Sequence, residues 1–109
     1  MANGRLGAVT ISAASNITAY TCPVDTFAVV TVNVLNRSAT SRDIRVAVAA
    51  TDTPTVNEYI EYDVELLGNG VLERTGIVLS AGQKIVVFSN STDCNAVVYG
   101  IETSVATSV

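Results

Sequence analysis

Two glycine-bearing turns set between short apolar runs constrain this chain more than any other feature. Residues 68–87 read GNGVLERTGIVLSAGQKIVV. Gly68-Asn69-Gly70 leads into an apolar run over 71–79, and Ser80-Ala81-Gly82-Gln83 leads into a second over 85–88. Asn and Gly both tolerate the positive φ that a tight hairpin demands, so this pair between apolar runs predicts a hairpin. A strand and a turn every roughly ten residues is the rhythm of an all-β sandwich or barrel. The stretch holds no histidine, no cysteine and no serine in a nucleophile motif, so it reads as architecture.

Composition supports strands nearly throughout. Valine, isoleucine and threonine supply 38 of the 109 residues, and such β-branched side chains suit a pleated surface. The length predicts a single domain, 1–109, that buries roughly two-thirds of its unfolded surface. Charged residues make up 15% of the chain against 49% hydrophobic, well below the roughly 25% charge of an average domain. So little charge predicts an obligate oligomer, or a subunit pressed onto a larger assembly. The net charge of −4 and the six scattered Lys and Arg argue against a direct nucleic-acid partner, which would favour a basic face. No secretory signal is legible near the start, and no run approaches the roughly 20 apolar residues of a membrane span.

Candidate strands fall at 6–11, 17–22, 27–35, 44–49, 58–66, 71–79, 84–89 and 96–102, with flexible ends expected at 1–4 and 103–109. The run over 27–35 is apolar on both faces, with Ala28, Val30, Val32 and Val34 on one side, and is expected to be a central strand. Ile44, Val46 and Val48 are expected to face inward. The connection over 50–57 is the longest and is a candidate crossover between sheets. Beyond it, alternation sets Ile60, Tyr62, Val64 and Leu66 inward and Tyr59, Glu61, Asp63 and Glu65 outward. The register of the 68–70 hairpin stays open. A two-residue turn sets Glu65 opposite Arg74 but Leu66 opposite Glu73. A three-residue turn pairs Leu66 with Leu72 but sets Glu65 against Glu73, and a bulge could reconcile the two. Eight strands without a helical period predict an antiparallel β-sandwich of jelly-roll or immunoglobulin-like type. Cys22 and Cys94 are expected to be free and buried. The alternative is a bridge of immunoglobulin type, without the tryptophan that usually packs on one.

Chemistry is sparse. The chain has no histidine, which removes Ser-His and Cys-His catalysis and histidine-built zinc sites. No glycine-rich phosphate loop is present, because Gly68-Asn69-Gly70 lies between strands. The one polar constellation is acidic: Glu58, Glu61, Asp63 and Glu65, joined by Glu73. A paired-carboxylate hydrolase or a calcium site would use such residues. The plainer reading is a solvated strand face, with Glu61, Asp63 and Glu65 in one row roughly 7 Å apart, since calcium ligands usually come from a wrapping loop. No cofactor and no enzymatic activity are expected. Arg42, Arg45 and Arg74 are available to pair with these acids. Tyr59, Tyr20 and Tyr99 are candidate interface anchors. The residues singled out for an interface are Tyr59, Glu61, Asp63, Glu65, Glu73, Arg74, Arg45 and Tyr20. A carbohydrate-binding sandwich would want a platform of exposed aromatics, and four Tyr, two Phe and no Trp offer little of one.

Several segments carry a resemblance: Gly4-Arg5-Leu6-Gly7-Ala8, Tyr20-Thr21-Cys22-Pro23, Glu58-Tyr59-Ile60-Glu61-Tyr62-Asp63, Gly70-Val71-Leu72-Glu73-Arg74-Thr75-Gly76, Ala81-Gly82-Gln83-Lys84 and Val98-Tyr99-Gly100. Together the chain resembles the small virion structural proteins of tailed bacteriophages, notably phages of cyanobacteria. Cys22 departs from the valine such turns often carry. The resemblance implies a β-sandwich without catalytic residues, made in the host bacterial cytoplasm and carried on the virion. It implies a capsid decoration (cement) protein on the outer head shell, self-associated as a homo-oligomer such as a trimer and bound to the major capsid protein. A tail, neck or fibre component and a carbohydrate-binding module are the alternatives.

Overall fold

The structure, a computed structural model, describes residues 3–105. Its strands are β1 (Asn3–Ile11), β2 (Ile17–Thr21), β3 (Thr26–Asn36), β4 (Arg42–Ala49), β5 (Tyr59–Leu66), β6 (Val71–Leu79), β7 (Lys84–Ser89) and β8 (Cys94–Ser104), with one 3-10 turn at Val56–Glu58. They form two four-stranded antiparallel sheets, β1-β8-β3-β6 (sheet 1) and β2-β7-β4-β5 (sheet 2). The expected all-β sandwich is therefore present, and its strand order is that of a jelly roll. The chain is one long ribbon in which β1 pairs with β8, β2 with β7, β3 with β6 and β4 with β5. The ribbon is rolled so that β3 also pairs with β8, and β4 with β7.

Alternation fills the space between the sheets. Ala28, Val30, Val32 and Val34 of β3 are fully buried against Ile44 and Val46 of β4 and the rest of one core cluster. Central β3 thus lies as its pattern predicts. Val48 is half-buried and packs on the same core, while its neighbours Ala47 and Ala49 join Val86 in a small second cluster under Tyr59. Cys22 and Cys94 are buried and unbridged.

The two connections on either side of β5 are the reverse of the expectation. Segment 50–58 does not cross between sheets; it joins β4 to β5 within sheet 2 and is the tip of the rolled ribbon. The Gly68-Asn69-Gly70 turn does not close a hairpin. It carries the chain from β5 in sheet 2 to β6 in sheet 1, and neither proposed register exists. Glu65 lies opposite Asp43, Glu73 opposite Asn33 and Arg74 opposite Val32. The cause is a long-range anchor. Asn69 does adopt left-handed φ (59°), and Gly70 N–H donates to Leu67 C=O. However, Asn69 N–H donates to Ser38 C=O, and Gly70 C=O accepts from Asn36 N–H. The fully buried Asn36 side chain donates Nδ2 to the carbonyls of Thr40, Leu66 and Leu67, and its Oδ1 accepts from Ser38. The turn is thereby tied to the β3–β4 loop instead of to its own flanking strands.

Sheet edges differ from sheet centres. The inner β3–β8 and β4–β7 ladders run without a register shift, while every edge strand (β1, β2, β5 and β6) meets its neighbour with at least one. Bulges bend an edge away from the flat geometry that invites another strand. The ends are paired further than expected. Asn3 and Gly4 lie opposite Ile101 and Gly100, and Thr103 and Ser104 lie opposite Phe27 and Thr26. The remaining end residues, 1–2 and 106–109, lie outside the described residues.

Candidate functional site

The two outer faces of the sandwich are finished differently. One end of sheet 2 is covered by its own chain. Glu58 accepts hydrogen bonds from the backbone N–H of Thr55 and of Ala50, which closes the 50–58 loop and holds the Glu58 carboxyl below its ordinary range. Asp52 of that loop accepts from Thr18 Oγ1 on β2 and lies 3.8 Å from Lys84 Nζ on β7. The loop is thus fastened over strands that carry Ala47, Ala49 and Val86, each at most 1% exposed.

Further along sheet 2, a bulge rearranges the acidic row. Ile44 pairs with Val64 and Val46 with Glu61, so Tyr62 and Asp63 both stand opposite Arg45, with Asp63 at φ 52°. The extra residue reverses the strand's phase. Tyr62, expected inward, is exposed outward. Glu61, expected outward, reaches across the sandwich to Arg74 of β6 at 2.9 Å. The Arg45 guanidinium lies 4.3 Å from the Tyr62 ring centre and 4.4 Å from that of Phe88, and Nε donates to Asp63 Oδ1 at 2.6 Å. Tyr59 meets Tyr62 edge-on at 5.0 Å. The rings of Tyr59, Tyr62 and Phe88 are engaged with Arg45 or with each other.

Sheet 1 has no such cover among the described residues. Its outer face carries Val78, Val29 and Ile101 side by side across β6, β3 and β8, with Phe27 and Tyr99 as the next outward residues along β3 and β8. Val78 is 63% exposed, Ile101 53%, Phe27 38% and Tyr99 37%. Leu35 beside Val71 forms a second apolar spot toward the other end, separated from the first by Thr31, Asn33 and Glu73. Only two charged side chains of the sheet's strands belong to this face, Arg5 on β1 and Glu73 on β6; Arg74 turns inward to Glu61, and Glu102 turns to the Tyr20 hydroxyl. Tyr99 donates its hydroxyl to Glu73 at 2.7 Å, a bond that raises the phenol's pKa. Contiguous exposed apolar surface of this kind marks interaction sites in soluble proteins.

The residues singled out from the sequence therefore separate. Glu73 alone lies on the bare face. Arg45, Asp63 and Tyr59 belong to the outer surface of sheet 2, and Glu65 is exposed there. Glu61 and Arg74 join the two sheets. Tyr20 is no surface anchor; it is 7% exposed, and burial first, then its bond to Glu102, raises its pKa above the ordinary value. Arg42 pairs with Asp93 instead of the acidic row. The acidic residues do not gather, and among the described residues no three His, Cys, Asp or Glu side chains converge to hold a metal ion. Phe27, Val29, Val78 and Ile101 were missed, although the two-sided apolar pattern of 27–35 was the signal for the first two. A shallow depression between β1 and β8, lined by Ala8, Thr10, Asn95 and Val97, measures about 190 Å³, below the roughly 300 Å³ at which ligand pockets begin. No protein-family model matches this chain, and no curated protein matches it.

Proposed function

We propose that this chain is an adhesive structural subunit of a bacteriophage virion, and specifically a decoration protein that binds the outside of the head shell and stabilises it. The observation that carries the reading is the bare apolar face of sheet 1, set against a sheet 2 that its own chain covers at one end. A free-standing domain gains nothing from leaving Val78, Ile101, Phe27 and Tyr99 open to water, whereas burying them at roughly 25 cal/mol per Å² supports association. The jelly roll is compatible with this role, being common in viral capsid domains, but it also serves lectins and other functions, so the reading rests on the face and on the sequence resemblance. The low charge fits a subunit with extensive contacts.

The test is stoichiometry in purified virions. Copy numbers on the scale of the shell protein itself support decoration. A number matching a single ring or a few fibres contradicts it and favours a tail, neck or fibre component. Virions assembled without the protein should lose their DNA at lower temperature than complete ones.

A further inference from the structure

We infer that the occupant of the sheet 1 face is a second copy of this chain, packed face to face about a two-fold axis. The inference rests on the adhesive reading of that face and gives it to self-association, so that the pair meets the head shell through surfaces other than sheet 1.

Three observations favour a second copy. First, the edges are closed to it: each edge strand is bulged, so strand-to-strand addition is disfavoured and association is directed to a face. Second, the face is self-complementary in charge. Arg5 and Glu73 stand on its two edge strands, roughly 14 Å apart across three strand spacings, with Tyr99, Thr31 and Asn33 between them. Among the described residues Arg5 has no ion-pair partner. A two-fold axis along the face sets Arg5 of one copy toward Glu73 of the other, twice, because a two-fold interface repeats every contact. Third, the remaining charge is well placed. Six of the ten carboxylates lie on β4, β5 or their connection (Asp43, Asp52, Glu58, Glu61, Asp63 and Glu65). Pairing through sheet 1 puts these acidic surfaces on opposite outsides of the dimer, where the net charge of −4 per copy repels least.

The area sets the strength. Four strands about 4.8 Å apart and nine residues long present roughly 600 Å², so a pair buries about 1,200 Å² in total, the lower end of specific interfaces. An area at that end of the range supports a reversible pair, and it is a two-fold pair in place of the trimer implied by the sequence resemblance.

Sedimentation of the full chain from sub-micromolar to tens of micromolar tests this. A monomer–dimer equilibrium is expected. Ile101→Lys and Val78→Lys, both at exposed positions, should each weaken it by about tenfold or more with unchanged melting, while Glu65→Lys on sheet 2 should not. Arg5→Glu and Glu73→Arg should each weaken the dimer, and the two together should restore it. A wild type that stays monomeric, a trimer, or a dimer insensitive to Ile101→Lys overturns the inference. So does a double charge swap that fails to restore association. Each of these results leaves the virion reading to its own stoichiometry test.

Discussion

Arg74 Nη1 and Glu61 Oε2 meet at 2.9 Å across the sandwich, one from each sheet. The pair exists because a bulge turns Glu61 inward and because β6 belongs to the opposite sheet from β5. Arg74 is 47% exposed and Glu61 16%, so the coupling is modest. Arg74→Ala and Glu61→Gln in a double-mutant cycle should give about 0.5–1 kcal/mol, reduced by salt. A coupling of zero at low ionic strength would place the two side chains apart in solution.

Asn36 has a larger share. Its buried amide serves three carbonyls of two loops and holds the sheet-to-sheet crossing in place. Asn36→Ala leaves those carbonyls short of a donor and should cost roughly 2–4 kcal/mol in denaturant unfolding. A loss within experimental error would mean that water replaces the amide at this corner.

Gly68 lies at the same crossing. A Cβ there would stand 2.2 Å from Ala39 C=O, a backbone atom that cannot turn aside. Gly68→Ala should therefore destabilise by about 2 kcal/mol or more. Gly76 makes a useful contrast: a Cβ meets nothing within 4 Å, and only its φ of 69° opposes substitution. Gly76→Ala is expected to cost about 1 kcal/mol.

Much of this fold can be read from the residues, and the failures have physical causes. Period-2 alternation and turn residues located all eight strands, because a strand with one buried face must alternate. Pairing was another matter. Asn69-Gly70 satisfies the local requirement for a hairpin, yet its own backbone groups bond to residues 36 and 38, some thirty positions back. No local pattern reports that. The expected outward row keeps Asp63 and Glu65 but loses Glu61 for a related reason: one extra residue at Tyr62–Asp63 shifts the phase, and a bulge leaves little trace in composition. The bare face was half visible in the two-sided β3, but Val78 and Ile101 become its neighbours only once β6 and β8 flank that strand.

Acid should loosen the cover of sheet 2 before it unfolds the domain. The Glu58 carboxyl is held below its ordinary value of 4.5 by backbone N–H groups of Thr55 and Ala50. A depressed folded-state pKa means its contribution is complete above the unfolded value and is lost as pH falls through the folded one. Asp93, in the β7–β8 connection, is held down by Arg42 and Ser91 from an ordinary 3.8 and behaves alike. Protection factors at Ala50 and Thr55, exchange corrected for its intrinsic pH dependence, should fall as pH drops below the usual carboxylate range, and Glu58→Gln should reproduce that fall at neutral pH. Protection that is flat in pH would detach Glu58 from the loop.

The account turns on which face of the sandwich is adhesive, and side-chain oxidation footprinting of the protein on intact virions reads that directly. Tyr99 and Phe27 report sheet 1, and Tyr62 reports sheet 2. Relative to dilute free protein, Tyr99 and Phe27 should be protected and Tyr62 should stay as reactive as before. Protection of Tyr62 with Tyr99 and Phe27 still open would contradict the account.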